Sequence, residues 1–249
     1  MTRPLDRIEA KIERAVQHIQ EFESGILRFE RDAYAVRLEP NISAGKLSLF
    51  IVDRGLGEPP VQLLLVAGEV VYQLRSALDH SIFILANKAA KGDRQFPIFK
   101  KPDEYKTRSP SMIKGVSPRA DAIIEKSQPF QSSTPDEHPL SKLSKLNNTD
   151  KHRVIPACSI CVSHGNIDFV GGPISFINFA NLRVPKDGTK LAELRLPKEF
   201  TPEMKMDSET FFSVAFTEVG FTKLEPAVPL LYQLVGYVTS LIDALRGEF

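Results

Sequence analysis

Arg75 and His80 are the two residues whose types and spacing best suit chemistry in this sequence. They stand five positions apart in the segment LRSALDH. Arginine is permanently charged and forks onto phosphate oxygens, while histidine gives and takes protons near neutral pH. Together they could cleave RNA without a metal. The 2′-hydroxyl would be the nucleophile, Arg75 would stabilise the charge that develops on the phosphorane, and His80 would be the general acid or base.

The segment that carries this pair resembles the HEPN superfamily. Members of that family are helical bundles, and many are metal-independent ribonucleases with an Arg-x4-6-His motif on a core helix; here the residue after the arginine, Ser76, is polar as in the family. The resemblance implies that Arg75 and His80 are catalytic, that RNA is the substrate, and that a homodimer brings both copies of the motif to one cleft. It also implies a toxin or defence setting. On a regular helix, residues five apart differ by about 140° in direction, so two subunits would be needed to aim both side chains at one phosphate.

A structural alternative stays open for the same residues. Arg75 and Asp79 stand four apart and can pair along the helix surface, which leaves His80 to bond Ser76 or a neighbouring carbonyl. In that case the protein would be a non-catalytic helical module that binds a protein partner or an anionic small ligand.

A second cluster of cations follows a leucine-containing segment. Lys151, His152 and Arg153 come directly after Asp150, and such a cluster suits a phosphate. The alternative is a solvated loop at a helix C-terminus, where cations favour the helix dipole. The series LRSALDH, FPIF, IIEKSQPF and LSKLNNTDKHR is also similar to a pattern in uncharacterised bacterial proteins. That likeness implies that this loop and the Arg75 helix share one unit and one pocket.

Neither a metal nor a cofactor is expected. Cys158, Cys161 and His164 form half of a zinc pattern, but no second ligand pair follows at finger spacing. The surrounding run is apolar and strand-like, which predicts that the two cysteines are core residues on opposite faces of a strand. The Gly171-Gly172-Pro173 segment does not open a helix, so it predicts a turn and not a phosphate loop.

The overall charge excludes a strong general attraction to nucleic acid or to anionic membranes. Lysines and arginines nearly balance the acidic residues, for a net charge of +1. The charged N-terminus lacks the apolar core of a secretory signal, and the longest uncharged stretch, about 226–242, is short for a bilayer span. We therefore expect a cytoplasmic protein without membrane association, whose candidate partners are RNA, a second copy of the chain and a protein partner.

Apolar periodicity predicts the elements of the N-terminal part. Residues Leu5 to Ile26 show the three-four spacing of a long amphipathic helix. Alternation in Tyr34 to Leu38 and in Leu47 to Ile51 predicts a short hairpin. A second long helix is predicted from just after Pro60 to about Ala90. It is apolar around so much of its circumference that it must be central.

The rest of the chain predicts an irregular excursion followed by a sheet. Residues 93–139 are rich in Pro, Ser, Lys and Arg and predict one short helix, Pro118 to Lys126. A helix with Leu140 to Leu146 should end near Asn147-Asn148. From Val154, β-branched and aromatic runs separated by turn residues, His164-Gly165-Asn166 among them, predict an antiparallel sheet of about five strands. A C-terminal helix carries Leu231 to Leu245.

The predicted fold class is therefore α+β. Long amphipathic helices pack as a partial bundle beside the antiparallel sheet and the C-terminal helix. We predict a single composite domain over residues 1–249, with a helical part and short hairpin at 1–92, the excursion at 93–139, and the sheet plus C-terminal helix at 140–249.

Overall fold

The computed structural model describes residues 4–86, 94–169, 175–178, 185–196, 200–201, 206–217, 219–221 and 224–249. These residues form helices and antiparallel sheets, which confirms the α+β class. They group into two compact units. The first comprises Met1–Glu23, Val61–Pro156 and Thr217–Phe249, and the second comprises Ser24–Pro60 and Ala157–Phe216. The single composite domain stays a prediction, and the Gly171-Gly172-Pro173 turn lies outside the described residues.

The first unit consists mainly of helices. The two long N-terminal helices and the C-terminal helix were predicted from the apolar periodicity of the sequence. The described α-helices are α1 (Pro4–Ala33), α2 (Val61–Leu85), α3 (Pro102–Met112), α4 (Pro118–Lys126), α5 (Pro139–Asp150) and α6 (Ala227–Leu245). Short 3-10 turns cover Pro129–Gln131, Pro135–Glu137 and Arg246–Glu248. Helix α2 is central as expected: it packs against α5 and α6, and Leu74, Leu78 and Ile82 on it are fully buried.

The prediction of only one helix in the excursion was wrong, because α3 precedes α4 there. The sequence of α3, PDEYKTRSPSM, has too few apolar residues to show a helical period. Its start is favoured locally by a proline in the first turn and by Asp103 and Glu104, which interact with the positive end of the helix dipole. Tyr105 and Ser109, four residues apart, are its buried positions. Because its buried stripe is so narrow, α3 depends on contacts with neighbouring elements for its stability.

The second unit contains two antiparallel sheets. The hairpin of β1 (Tyr34–Asn41) and β2 (Lys46–Asp53) was predicted, and β5 (Lys190–Arg195) pairs with β2. In the other sheet β3 (Ala157–Phe169) lies between β4 (Ser175–Asn178) and β6 (Met206–Phe216). The described strands are thus divided between two sheets and not joined in one sheet of five. A two-residue strand, β7 (Glu225–Pro226), belongs to the first unit.

The predicted turn at His164-Gly165-Asn166 was wrong, since β3 runs without interruption from Ala157 to Phe169. Its pairing with β6 changes register between Val162 and Gly165, so the ladder contains a bulge or a similar irregularity there. Glycine and its polar neighbours are common at bulges as well as at turns, so local composition does not separate the two structures.

Two helical stretches, Val61–Leu85 and Ala227–Glu248, are long and apolar enough by length and composition to cross a membrane. Core helices of soluble proteins meet the same criterion. Both stretches contribute buried residues to the first unit, so the structure is compatible with a soluble protein.

Candidate functional site

Arg75 and Asp79 form a two-point ion pair on α2. Arg75 donates from Nε to Asp79 Oδ2 at 3.1 Å and from Nη2 to Asp79 Oδ1 at 2.6 Å. The pair is the one expected from their four-residue spacing, and the arginine side chain is only 14% exposed. A fork of this kind fixes the orientation of the guanidinium.

The same pair holds the extended segment 95–100 against the helix. Arg75 Nη2 donates to the carbonyl oxygen of Phe96 at 2.8 Å, and the Phe96 N–H donates to Asp79 Oδ1 at 2.8 Å. Further along, Gln128 accepts from the Phe99 N–H at 3.0 Å and donates to the Pro97 carbonyl at 2.9 Å. Side chains thus satisfy main-chain groups that would otherwise be buried without partners. Segment 95–100 is therefore fixed although it belongs to no sheet.

A cleft of about 500 Å³ opens beside this segment within the first unit. Arg75 and Asp79 line it from α2. One face of α3 and the residue before that helix contribute Lys101, Glu104, Arg108 and Met112. One face of α5 and the residue after that helix contribute Ser144, Asn147, Asn148 and Lys151. Both sets recur every three or four residues, which is the spacing of a single helix face.

The cleft carries more positive than negative charge. Its cations are Arg75, Lys100, Lys101, Arg108 and Lys151, and its carboxylates are Asp79 and Glu104. Lys100 pairs with Asp136 at 2.5 Å and Lys101 pairs with Glu104 at 3.6 Å. Together with Lys145, Lys100 holds the pKa of Asp136 below its ordinary value.

Arg108 and Lys151 have no acidic partner among the residues that the structure describes. The Arg108 guanidinium instead lies 5.0 Å from the centre of the Phe99 ring, a cation–π contact. The lysine follows the last residue of α5 and is exposed. Two cations that line one cleft, each without a carboxylate partner, create a positive potential that favours anions.

Asn147 adds a neutral polar group to the cleft. The residue is only 7% exposed, and its side-chain amide makes no hydrogen bond with any described residue. Neither amide atom is among the fully buried side-chain atoms that lack a hydrogen-bond partner, so solvent in the cleft reaches the amide. The Asn147 amide is therefore open to hydrogen-bond a molecule that enters the cleft.

The structure brings two of the five predicted site residues together. Arg75 and Lys151 line the same cleft, as the single-pocket hypothesis required, whereas His80, His152 and Arg153 are not among its lining residues. His80 is partly buried on α2, and burial lowers its pKa, with a further contribution from Lys11 and Arg7 of α1. His152 and Arg153 are exposed in the turn after α5, where both backbone N–H groups donate to the Thr149 carbonyl.

The cleft also contains residues that the sequence had not indicated, notably Lys101, Arg108 and Asn147. The spacing of Ser144, Asn147, Asn148 and Lys151 places them on one helix face, and this signal was available in the sequence. No comparable signal existed for Lys101 and Arg108, because α3 shows no apolar period that would have placed them on a helix.

Only part of the cysteine cluster can be placed, because the side chains of Cys161 and His164 lie outside the described residues. Among the side chains that the structure describes, no group of three or more His, Cys, Asp or Glu could hold a metal ion. Cys158 is a half-buried free thiol on β3, and burial raises its pKa.

No family model, curated protein or solved structure matches this chain. The geometry of the cleft is therefore the feature that indicates a function.

Proposed function

We propose that the protein binds a small phosphate-bearing ligand in the cleft between α3 and α5. The observation that carries this proposal is the pair of cations, Arg108 and Lys151, that line the cleft without an acidic partner among the described residues. A phosphate monoester carries about −1.5 to −2 charges at pH 7, so these two cations match one such group. The cleft volume of about 500 Å³ is also that of a small-molecule site.

Preorganisation supports the same proposal. The Arg75–Asp79 pair and Gln128 hold segment 95–100 by its main chain, so Lys100 and the Phe99 ring beneath Arg108 are positioned before any ligand binds. A site that is already ordered loses less conformational entropy on binding.

Titration calorimetry with inorganic phosphate and with pyrophosphate, at low ionic strength, tests the proposal. We expect both anions to bind the wild-type chain, and Arg108→Ala and Lys151→Ala each to weaken binding about ten-fold or more, since charge-assisted hydrogen bonds contribute about 1.5–3 kcal/mol. Lys114→Ala is the matched control, because this exposed cation just after α3 does not line the cleft. Absence of binding by the wild type, or an equal loss in the control, would contradict the proposal.

We also propose metal-independent RNA cleavage as a second function, in a cytoplasmic homodimer and in the toxin or defence setting that the family resemblance implies. What supports it is that Arg75, the expected stabiliser of the phosphorane, lines the same cleft as Lys151. The lowered pKa of His80 leaves its imidazole neutral at pH 7, the form that accepts a proton.

RNA incubated with the purified protein in the presence of a chelator tests this second function. Fragments with cyclic-phosphate ends are expected from the wild type, and none from His80→Ala or Arg75→Ala. If a varied set of RNAs stays intact, the ribonuclease hypothesis fails and the ligand-binding proposal is unaffected.

A further inference from the structure

The two helices that line the cleft present different chemistry to it. From α3 and the residue before it come the cations Lys101 and Arg108, whereas α5 contributes the neutral groups of Ser144, Asn147 and Asn148 before Lys151. A bare anion can accept from the donors on both sides, but it offers few donors to the oxygens of Ser144, Asn147 and Asn148. A ligand that also has neutral hydrogen-bonding groups would match the second side more completely.

The Asn147 amide is the most selective of these neutral groups. The residue is only 7% exposed, its side chain lines the cleft, and the amide has no hydrogen-bond partner among the described residues. Its nitrogen provides two donors and its oxygen accepts. Inorganic phosphate at neutral pH offers mainly acceptors, so the amide oxygen of Asn147 would have only water as a donor. A hydroxyl group both donates and accepts, and it would satisfy both sides of the amide.

The size and charge of the cleft further limit which ligands could bind. A phosphate ion is only a few times larger than a water molecule, which takes about 30 Å³, so phosphate alone would fill a small part of a cleft of about 500 Å³. Lys100 and Lys101 are already paired with Asp136 and Glu104. The remaining positive charge, from Arg108 and Lys151, matches one phosphate monoester.

Building on the proposed anion site, we infer that its ligand is an organic phosphate monoester whose neutral body carries hydroxyl groups. Arg108 and Lys151 bind the phosphate. Asn147 hydrogen-bonds the hydroxyl-bearing body and determines specificity for the ester over the inorganic ion.

Calorimetry with four probes tests this inference: inorganic phosphate, glycerol 3-phosphate, ribose 5-phosphate and glucose 6-phosphate. We expect at least one ester to bind the wild type about ten-fold more tightly than inorganic phosphate, a gain that two well-made hydrogen bonds supply. Asn147→Leu should remove this preference and leave the Kd for inorganic phosphate within about two-fold, because the leucine keeps the side-chain volume but loses both hydrogen-bonding atoms.

Asn147→Ser is the second variant, since its hydroxyl retains one donor and one acceptor, and it should keep part of the preference. The inference is overturned if no ester binds more tightly than inorganic phosphate, or if Asn147→Leu weakens the ester and the inorganic ion equally. Those outcomes leave the anion site intact. If the wild type binds none of the four probes, the proposed function itself fails.

Discussion

At the scale of single residues, Arg75, one of the two predicted catalytic residues, forms a structural clamp with Asp79. The Arg75 guanidinium and the Asp79 carboxylate hydrogen-bond each other. The guanidinium also donates to the Phe96 carbonyl, and the carboxylate accepts from the Phe96 N–H. These contacts explain why two charged side chains lie on a helix that is otherwise largely apolar. Without them the peptide groups of Phe96, which itself lines the cleft, would lose their partners.

Asp79→Ala should destabilise the protein by about 2 kcal/mol, because it leaves the Arg75 charge without its partner and the Phe96 N–H without an acceptor. Urea unfolding followed by circular dichroism measures this change. Glu13→Ala on the exposed side of α1 is the control and should stay within about 0.5 kcal/mol of the wild type. Equal stabilities for the two variants would show that the clamp contributes nothing.

Glu30 is a second residue whose chemistry depends on its surroundings. It is 2% exposed in the second unit, its Oε1 accepts from the Ser159 hydroxyl at 2.9 Å, and its Oε2 has no partner among the described residues. Burial raises its pKa to about 7, and the Ser159 hydrogen bond offsets only part of that effect. The folded state therefore favours the protonated carboxyl.

This pKa predicts a pH dependence of stability. The contribution of protonated Glu30 is fully present below the unfolded-state pKa near 4.5 and is lost as the pH rises through about 7. The wild type should lose about 3 kcal/mol over that interval relative to Glu30→Gln, which cannot ionise. Urea unfolding at several pH values measures the difference. Glu39→Gln, exposed on β1, should follow the wild-type profile, and parallel curves for wild type and Glu30→Gln would disprove the assignment.

At the scale of elements, the packing of α5 on α2 depends on one glycine. A Cβ added at Gly68 of α2 would lie 2.2 Å from Asp150 Oδ1 and 2.9 Å from its Cγ. Asp150 is the last residue of α5, and the cleft residue Lys151 follows it. The absence of a side chain at Gly68 therefore lets the Asp150 side chain at the end of α5 approach α2 closely.

Gly68→Ala should lower the free energy of unfolding by about 1–3 kcal/mol and weaken phosphate binding, because Asp150 must move and Lys151 moves with it. Chemical denaturation and phosphate titration measure the two effects. Gly236→Ala is the matched control: it also lies in a helix, but its Cβ meets open space, so it should stabilise by about 0.5–1 kcal/mol. A Gly68→Ala chain as stable as the wild type would contradict this account, and Asp150→Ala should partly rescue the variant.

At the scale of the whole molecule, α2 exposes an apolar stripe. Val61, Leu65, Tyr72 and Phe83 are 48%, 50%, 59% and 59% exposed, and their spacing places them on one face of the helix. Large apolar side chains aligned along the exposed face of a helix are typical of an interaction surface. The homodimer expected from the family resemblance stays a prediction, and this stripe is the surface that supports it.

Sedimentation equilibrium tests the homodimer. We expect the wild type to be dimeric and the double variant Leu65→Glu, Tyr72→Glu to be monomeric, because burying two carboxylates at the interface costs more than the contact contributes. Gln62→Glu, exposed on the same helix but away from the stripe, should leave the dimer intact. A monomeric wild type would refute the prediction.

The sequence by itself determined the elements that depend only on residues close together in the chain. The apolar period placed α1, α2 and α6, alternation placed the β1–β2 hairpin, and the four-residue spacing of Arg75 and Asp79 predicted their ion pair. It also predicted Lys151 as a phosphate-binding residue, and this residue lines the cleft. Each of these features depends on residues within one or two turns or strands of each other.

Only the tertiary structure decided what those elements form together. It paired β5 with β2, made α3 a helix with a narrow buried stripe, and brought Arg108 and Asn147 to one cleft. Contacts such as Phe96 with Asp79, or Asp150 with Gly68, join residues far apart in the chain. They follow from how whole elements pack, and the period of a single element contains no information about its neighbours.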